Sequence, residues 1–180
     1  MSKDIQVDNI ISSLKRGELV CITSRPGLGK TTLAIDIVNN ICEHNNKIIF
    51  ISLENSQEQL RKKIKNKNVE IITEKLSIID IEYICKKIYL TNQELSLVVI
   101  DYLQLITKSQ DQEIIGKLKS LARELNITII LTSQLPKYKD LKPTIYDVEN
   151  ISNSLIHNSD RIVILYKDNN LIKLEIIKKL

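Results

Sequence analysis

Five stretches of the chain are apolar runs rich in β-branched residues: Leu19–Thr23, Lys47–Leu53, Leu95–Asp101, Ile127–Ser133 and Arg161–Tyr166. Between them, at Thr31–Glu43, Ser56–Lys65, Ile79–Tyr89 and Asp111–Leu125, apolar residues recur at helical spacing. Continuous rather than alternating hydrophobicity marks strands covered on both faces. Strands of that kind separated by helices predict an α/β fold with a mainly parallel β-sheet flanked by helices. The tail departs from this rhythm. "RIVILYKDNNLIKLEIIKKL" is two strand-like runs around Asp168-Asn169-Asn170, which predicts a C-terminal β-hairpin. No internal repeat and no Pro/Gly/Ser-rich linker interrupts the pattern, so residues 1–180 are expected to form a single domain.

Composition changes this picture little. A chain of 180 residues with 43% hydrophobic and 27% charged side chains can bury a core without disulfides or metals. A formal charge of +4 permits contact with phosphates without requiring it. Cys21, Cys42 and Cys85 are odd in number and form no C-x-x-C pair, so free thiols in a reducing cytosol are expected. The N-terminus "MSKDIQVDNI" lacks the apolar core of a signal peptide, and no apolar run has the length of a membrane span. A cytoplasmic protein without membrane contact is the expectation. The lysine-rich "RKKIKNKN" at Arg61–Asn68 reads first as a solvated helix end and second as a nucleic-acid patch.

The candidate chemistry begins in "CITSRPGLGKTTLAIDIV", Cys21 to Val38. It nearly completes the phosphate-loop pattern G-x-x-x-x-G-K-[ST], with Ser24 at the first glycine position. A buried strand precedes it and a helix opens at Lys30-Thr31, the context that lets backbone N–H groups from Gly27 to Thr32 wrap a phosphate. Nucleotide-binding candidates are therefore Ser24, Arg25, Pro26, Gly27, Leu28, Gly29, Lys30, Thr31 and Thr32. Lys30 would neutralise β/γ-phosphate charge and the Thr31 hydroxyl would ligate Mg²⁺. A small side chain at position 24 is tolerable if its φ stays negative.

Three further strand ends carry polar groups. "LSLVVIDYLQL" delivers Asp101, a partner for Mg²⁺ at the carboxyl edge of a parallel strand. "IIFISLEN" delivers Glu54, able to orient and deprotonate an attacking water. "ITIILTSQL" delivers Ser133 and Gln134, and a neutral amide there can sense a γ-phosphate without adding charge.

Taken in order, these segments resemble the RecA-like P-loop NTPase domain of DnaB-type replicative helicases over most of the chain. "LKRGELVCITSRPGLGKTTLA", "FISLENSQEQL", "LVVIDYLQLI", "EIIGKLKSLARELNITIILTSQL" and "SLIHNSDRIVILYKD" carry the likeness, the last with Asp160 at the matching acid. The resemblance implies ATP and Mg²⁺ as cofactors, with Lys30 and Thr31 on phosphates and metal and Asp101 on the metal. It implies Glu54 as catalytic base and Gln134 as γ-phosphate sensor. It also implies single-stranded DNA in a channel lined by Thr107–Gln112 and Pro136–Pro143, with Lys108, Lys137, Lys139 and Lys142 as candidate contacts.

Departures accompany the likeness. The family's N-terminal domain and linker helix have no counterpart in these 180 residues, and the region between Glu54 and Asp101 looks abbreviated. The family's Lys-x-Arg element, whose arginine reaches a neighbour's γ-phosphate, is met only by the lysines of "EIIKKL", so slow turnover by the isolated chain is expected. The leading expectation is a DnaB-like motor core acting on single-stranded DNA in replication, partnered either by copies of itself in a hexameric ring or by another helicase or loader subunit. The alternatives are an ATP-dependent module docking on a helicase or loader without unwinding, and another RecA-superfamily ATPase of KaiC-like or recombination-mediator type.

Overall fold

Along the apolar runs, odd and even residues pack into two different cores, which is how a strand with period two supports a sheet covered on both sides. Cys21, Ile49, Ile51, Val98, Ile100, Ile129, Leu131 and Ile162 belong to one buried cluster. Their neighbours Val20, Ile22, Ile48, Phe50, Leu97, Val99, Ile130 and Val163 belong to the other. The computed structural model describes residues 3–41, 46–91, 95–101, 111–136, 142–169 and 171–178, the side chains of 3–6, 111, 112 and 178 excepted.

The elements run α1 (Lys3–Ser13), β1 (Leu19–Ser24), α2 (Lys30–Asn40), β2 (Lys47–Ser52), α3 (Gln57–Lys63), β3 (Val69–Ile72), α4 (Ile78–Leu90), β4 (Leu95–Asp101), α5 (Asp111–Glu124), β5 (Thr128–Gln134), α6 (Ile145–Glu149), α7 (Asn153–Asn158), β6 (Arg161–Asp168) and β7 (Leu171–Lys178). One seven-stranded sheet has the order β3-β2-β4-β5-β1-β6-β7. Every neighbouring pair is parallel except β6–β7, which is antiparallel, so the sheet is mostly parallel with a C-terminal hairpin as the sequence predicts. The hairpin turn begins at Asn169, whose φ of 47° suits an asparagine. Asn170 lies outside the described residues.

Helices α4 and α5, with Val148 of α6 and Leu155 of α7, cover one face of the sheet. Helices α1, α2 and α3 cover the other through Val7 and Ile10, Leu33, Ala34, Ile37 and Val38, and Leu60. Two predicted helices end early. α2 stops at Asn40 because Ile41 turns extended at the C-cap, and Cys42 and Glu43 lie outside the described residues. α3 stops at Lys63, where Ile64 is extended and buried, and it starts behind a reciprocal Ser56–Gln59 capping box.

Four elements have no counterpart in the sequence reading: α1, β3, α6 and α7. β3 is only four residues long and follows the lysine-rich segment. α6 and α7 are five and six residues, too short to show a period.

Candidate functional site

The strand order brings the carboxyl ends of β2, β4, β5 and β1 side by side, which is where open parallel sheets hold ligands. Ser52 is in register with Asp101 across β2–β4, and Ser24 with Gln134 across β1–β5. The pairing runs one residue past the strands, with Leu53 N donating to Asp101 O at 3.2 Å and Leu135 N to Ser24 O at 2.9 Å. These bonds fix the edge on which the predicted residues meet.

The loop from Arg25 to Gly29 leaves β1 and opens α2 directly. Gly27 (φ 76°) and Gly29 (φ 90°) adopt the left-handed region that disfavours any side chain, and a Cβ at Gly27 would meet nothing within 4 Å. The constraint at Gly27 is therefore backbone shape, with open space above it. Gly29 is the N-cap of α2 and supplies no side-chain hydrogen bond, so the first N–H groups of the helix have no side-chain cap. Uncapped N–H groups at a helix start suit an anion, and a phosphate fits that need. Ser24 lies outside the positive-φ set and is fully buried. Its hydroxyl donates to Arg25 O at 2.8 Å and accepts from Lys30 Nζ at 3.4 Å. The serine in place of glycine thus ties the entrance of the loop to its lysine.

Lys30 is 9% exposed. Burial pulls its ammonium below the ordinary lysine value, while the nearby charges of Asp101 and Glu54 act in the opposite sense. Both carboxylates therefore lie close enough to be felt by Lys30. Glu54 itself is exposed, in the bend between β2 and α3. Asp101 is 2% exposed and is held by hydroxyls: Thr132 Oγ1 donates to Oδ1 at 2.7 Å, and Thr31 Oγ1 donates to Oδ2 at 2.9 Å. Ser52 Oγ reaches Oδ2 at 3.5 Å. Among the described residues no group of three or more His, Cys, Asp and Glu side chains is placed to hold a metal. One carboxylate beside one threonine hydroxyl at the foot of a phosphate loop fits Mg²⁺, which keeps waters and takes phosphate oxygens for the rest of its shell.

Of the sequence candidates, Ser24, Arg25, Pro26, Gly27, Leu28, Gly29, Lys30, Thr31, Thr32, Glu54, Asp101 and Gln134 are described, and Ser24 to Thr32 form the loop and first turn of α2. Thr132 and Ser52 were not among them. The signal for both was present, as a hydroxyl near the end of an otherwise apolar run. Lys108, Lys137 and Lys139, with residues 102–110 and 137–141 around them, lie outside the described residues. Lys142 is described and engaged elsewhere. It makes an ion pair with Glu175 at 2.6 Å, lies 5.0 Å from the Tyr166 ring centroid, and is held above the ordinary lysine value by its hydrogen bond to Glu175.

Asp160 stands apart from the site. At the start of β6 it pairs with Leu19, the first residue of β1, at the opposite edge of the sheet. Its Oδ2 accepts from Leu19 N at 2.7 Å and its own N donates to Leu19 O at 2.8 Å. Lys119 of α5, 8% exposed, is ion-paired to it and also donates to Gly17 O at 3.0 Å.

Comparison with known proteins follows the same outline. The family model of the DnaB-like helicase C terminal domain matches residues 2–77 and 62–178. The two segments overlap at 62–77, between Glu54 and Asp101. The replicative DNA helicase DnaB of Buchnera aphidicola subsp. Baizongia pistaciae (strain Bp) is 32% identical over 209 residues, covering 90% of this chain and 45% of the relative. That of Geobacillus stearothermophilus is 28% identical over 212 residues, covering 91% and 46%. The chain therefore spans about half the length of these relatives. The matched spans exceed the 180 residues present, so the relatives also carry internal residues that this chain lacks.

Among solved structures, a DnaB-like replicative helicase described with its interactions with primase aligns with a TM-score of 0.76 at 24% identity, over 92% of this chain and 52% of the other. A solved ATPase domain aligns with a TM-score of 0.77 at 22% identity, over 92% and 78%. The fold is RecA-like, and the chain belongs to the family of DnaB-like helicase C-terminal domains.

Proposed function

We propose that the chain is a DnaB-like motor core, a single RecA-like ATPase domain that binds and hydrolyses ATP with Mg²⁺ and acts on single-stranded DNA in the cytoplasm. The observation that carries this reading is the contact of Thr31 Oγ1 with Asp101 Oδ2 at 2.9 Å, one residue from the buried Lys30. It joins the start of α2 to the end of β4.

In this reading the residues divide the work. Loop N–H groups and Lys30 hold the phosphates, and Lys30 stabilises charge that grows on them during transfer. Thr31 and Asp101 would hold Mg²⁺, which when bound neutralises phosphate charge. Glu54, exposed on the same edge, orients a water and takes its proton. Gln134, opposite Ser24, reports the state of the γ-phosphate to the segment that follows β5. Assembly into a ring, or docking on another helicase or loader subunit, is the setting in which a neighbour's side chain would reach the γ-phosphate. Slow turnover by the isolated chain is expected for that reason.

Steady-state ATP hydrolysis with and without single-stranded DNA tests this. Turnover stimulated by DNA, and lost in Lys30→Ala and Glu54→Gln, is the expected result. A wild type that binds no ATP, or turnover indifferent to both substitutions, would overturn it.

A further inference from the structure

The last turn of α3 and the segment after it bear four cations that the nucleotide site does not use. Lys63, Lys65 and Lys67 are exposed, while the alternating Ile64 is 4% exposed and Asn66 is half-buried. The lysines therefore face outward from the end of α3 and the short irregular stretch and turn that follow it. Arg61 joins them, its guanidinium donating to Val69 O at 2.8 Å. The flanking carboxylates are taken: Glu58 pairs with Lys62 at 2.8 Å, and Glu70 with Lys47 at 2.9 Å. Among the described residues, no carboxylate lies within ion-pair distance of Arg61, Lys63, Lys65 or Lys67.

The stretch is also built to hold its shape. Asn39, near the end of α2, clamps it from both sides, donating to Lys63 O at 2.9 Å and accepting from Lys65 N at 2.8 Å. Asn66 donates to Val38 O at 3.3 Å and accepts from Asn68 N at 2.9 Å. Asn68 O receives Ile48 N at 3.0 Å. A favourable helix dipole accounts for a cation at Lys63, in the last turn of α3. It does not account for Lys65 and Lys67, which lie beyond the helix.

We infer that residues 61–68 form a contact surface for the phosphodiester backbone of a nucleic acid, distinct from the nucleotide site and from the loops after β4 and β5. The surface is pinned to the far end of α2, about 16 Å along that helix from the phosphate loop. The side chains around these lysines are polar, and the apolar Leu60 and Ile64 are buried. The patch offers no exposed apolar anchor of the kind that seats an amphipathic helix in a membrane or a peptide in a groove. Its aromatic content is nil as well, so recognition of the backbone without base reading is the fitting mode.

Fluorescence anisotropy of labelled oligothymidylate and of a short duplex, titrated with the full chain over a salt series without nucleotide, tests the inference. The triple variant Lys63→Ala/Lys65→Ala/Lys67→Ala is expected to weaken binding about tenfold or more at low salt. It should flatten the dependence of log affinity on log salt by about 2 for single strands, roughly 0.7 per lysine. The Lys→Arg triple variant retains binding, and circular dichroism verifies the fold of both. Loss confined to the single strand, or shared by the duplex, supports the surface and names which form it takes. An unchanged slope on both forms overturns it, as does preferential binding of the wild type to anionic phospholipid vesicles. Because nucleotide is absent, failure here is distinct from failure of the ATPase reading.

Discussion

Asp101 and Asp160 mark opposite edges of one sheet, and they are satisfied in opposite ways. Asp160 meets a lysine ammonium and a backbone N–H, so its charge is answered from within the chain. Asp101, more deeply buried, meets the hydroxyls of Thr132, Thr31 and Ser52, which orient it but carry no charge. These donors are neutral and Lys30 acts on Asp101 only as a nearby charge, so the carboxylate oxygens stay open to a cation from outside. The difference separates an acid that closes the fold from one that can serve chemistry, although both follow or precede an apolar strand in the sequence.

The largest effect that sharpens this comparison is expected at the working edge. Glu54→Gln should lower the turnover number for ATP by about 10²–10⁴, the range for loss of a general base, with nucleotide affinity kept. Single-turnover hydrolysis beside equilibrium nucleotide binding separates the two quantities. Loss of affinity in step with rate would move Glu54 from proton transfer to binding.

At the other edge the effect should fall on stability. Lys119→Met leaves Asp160 with its backbone donor alone. Because Asp160 is 29% exposed, the loss is expected at about 2 kcal/mol rather than the full cost of an unpaired buried charge. For a chain of this size that corresponds to a melting temperature lower by about 4–8 °C, read by thermal denaturation. ATP affinity should not change.

A smaller effect is expected from Thr132→Val, which removes the 2.7 Å hydrogen bond to Asp101 Oδ1. The expected cost is about 1 kcal/mol in urea denaturation, with hydrolysis reduced more than ATP binding because the carboxylate loses its orientation.

The smallest concerns the core between the two edges. Burial pushes the thiols of Cys21 and Cys85 up to about 12, so at pH 8 both stay protonated and unreactive in the native chain. Cys21 and Cys85 should therefore react with a thiol reagent only on denaturation, each adding one equivalent. The sign for stability follows: above 9.0 the unfolded chain ionises these thiols and the folded chain does not, so stability falls as pH rises from about 9 towards 12.

Much of this was legible in residues whose type and spacing have a single physical use. Gly27, Gly29, Lys30 and Thr31 pointed to a phosphate loop because such a cradle needs left-handed turns, a cation and a hydroxyl at a helix start, and the structure gives both glycines positive φ. The five apolar runs announced parallel strands because continuous hydrophobicity is needed only where both faces are covered. What escaped depended on three-dimensional neighbours. Thr132 gains its meaning from the adjacent β4, and Lys119 from an acid 41 positions away. Asp160 stood in the sequence only as the acid matching the family's segment, and its contact with Leu19 is what puts it at the edge away from the loop. α6 and α7 escaped because one or two turns leave no period to detect.

The most direct measurement is the Mg²⁺ dependence of ATP affinity, by titration calorimetry, in the wild type, Asp101→Asn and Asp160→Asn. The wild type and Asp160→Asn are expected to bind ATP about tenfold more tightly with Mg²⁺, about 1.4 kcal/mol, and Asp101→Asn to lose that gain. Full Mg²⁺ dependence in Asp101→Asn, or no ATP binding by the wild type, would contradict the assignment of this edge as the nucleotide site.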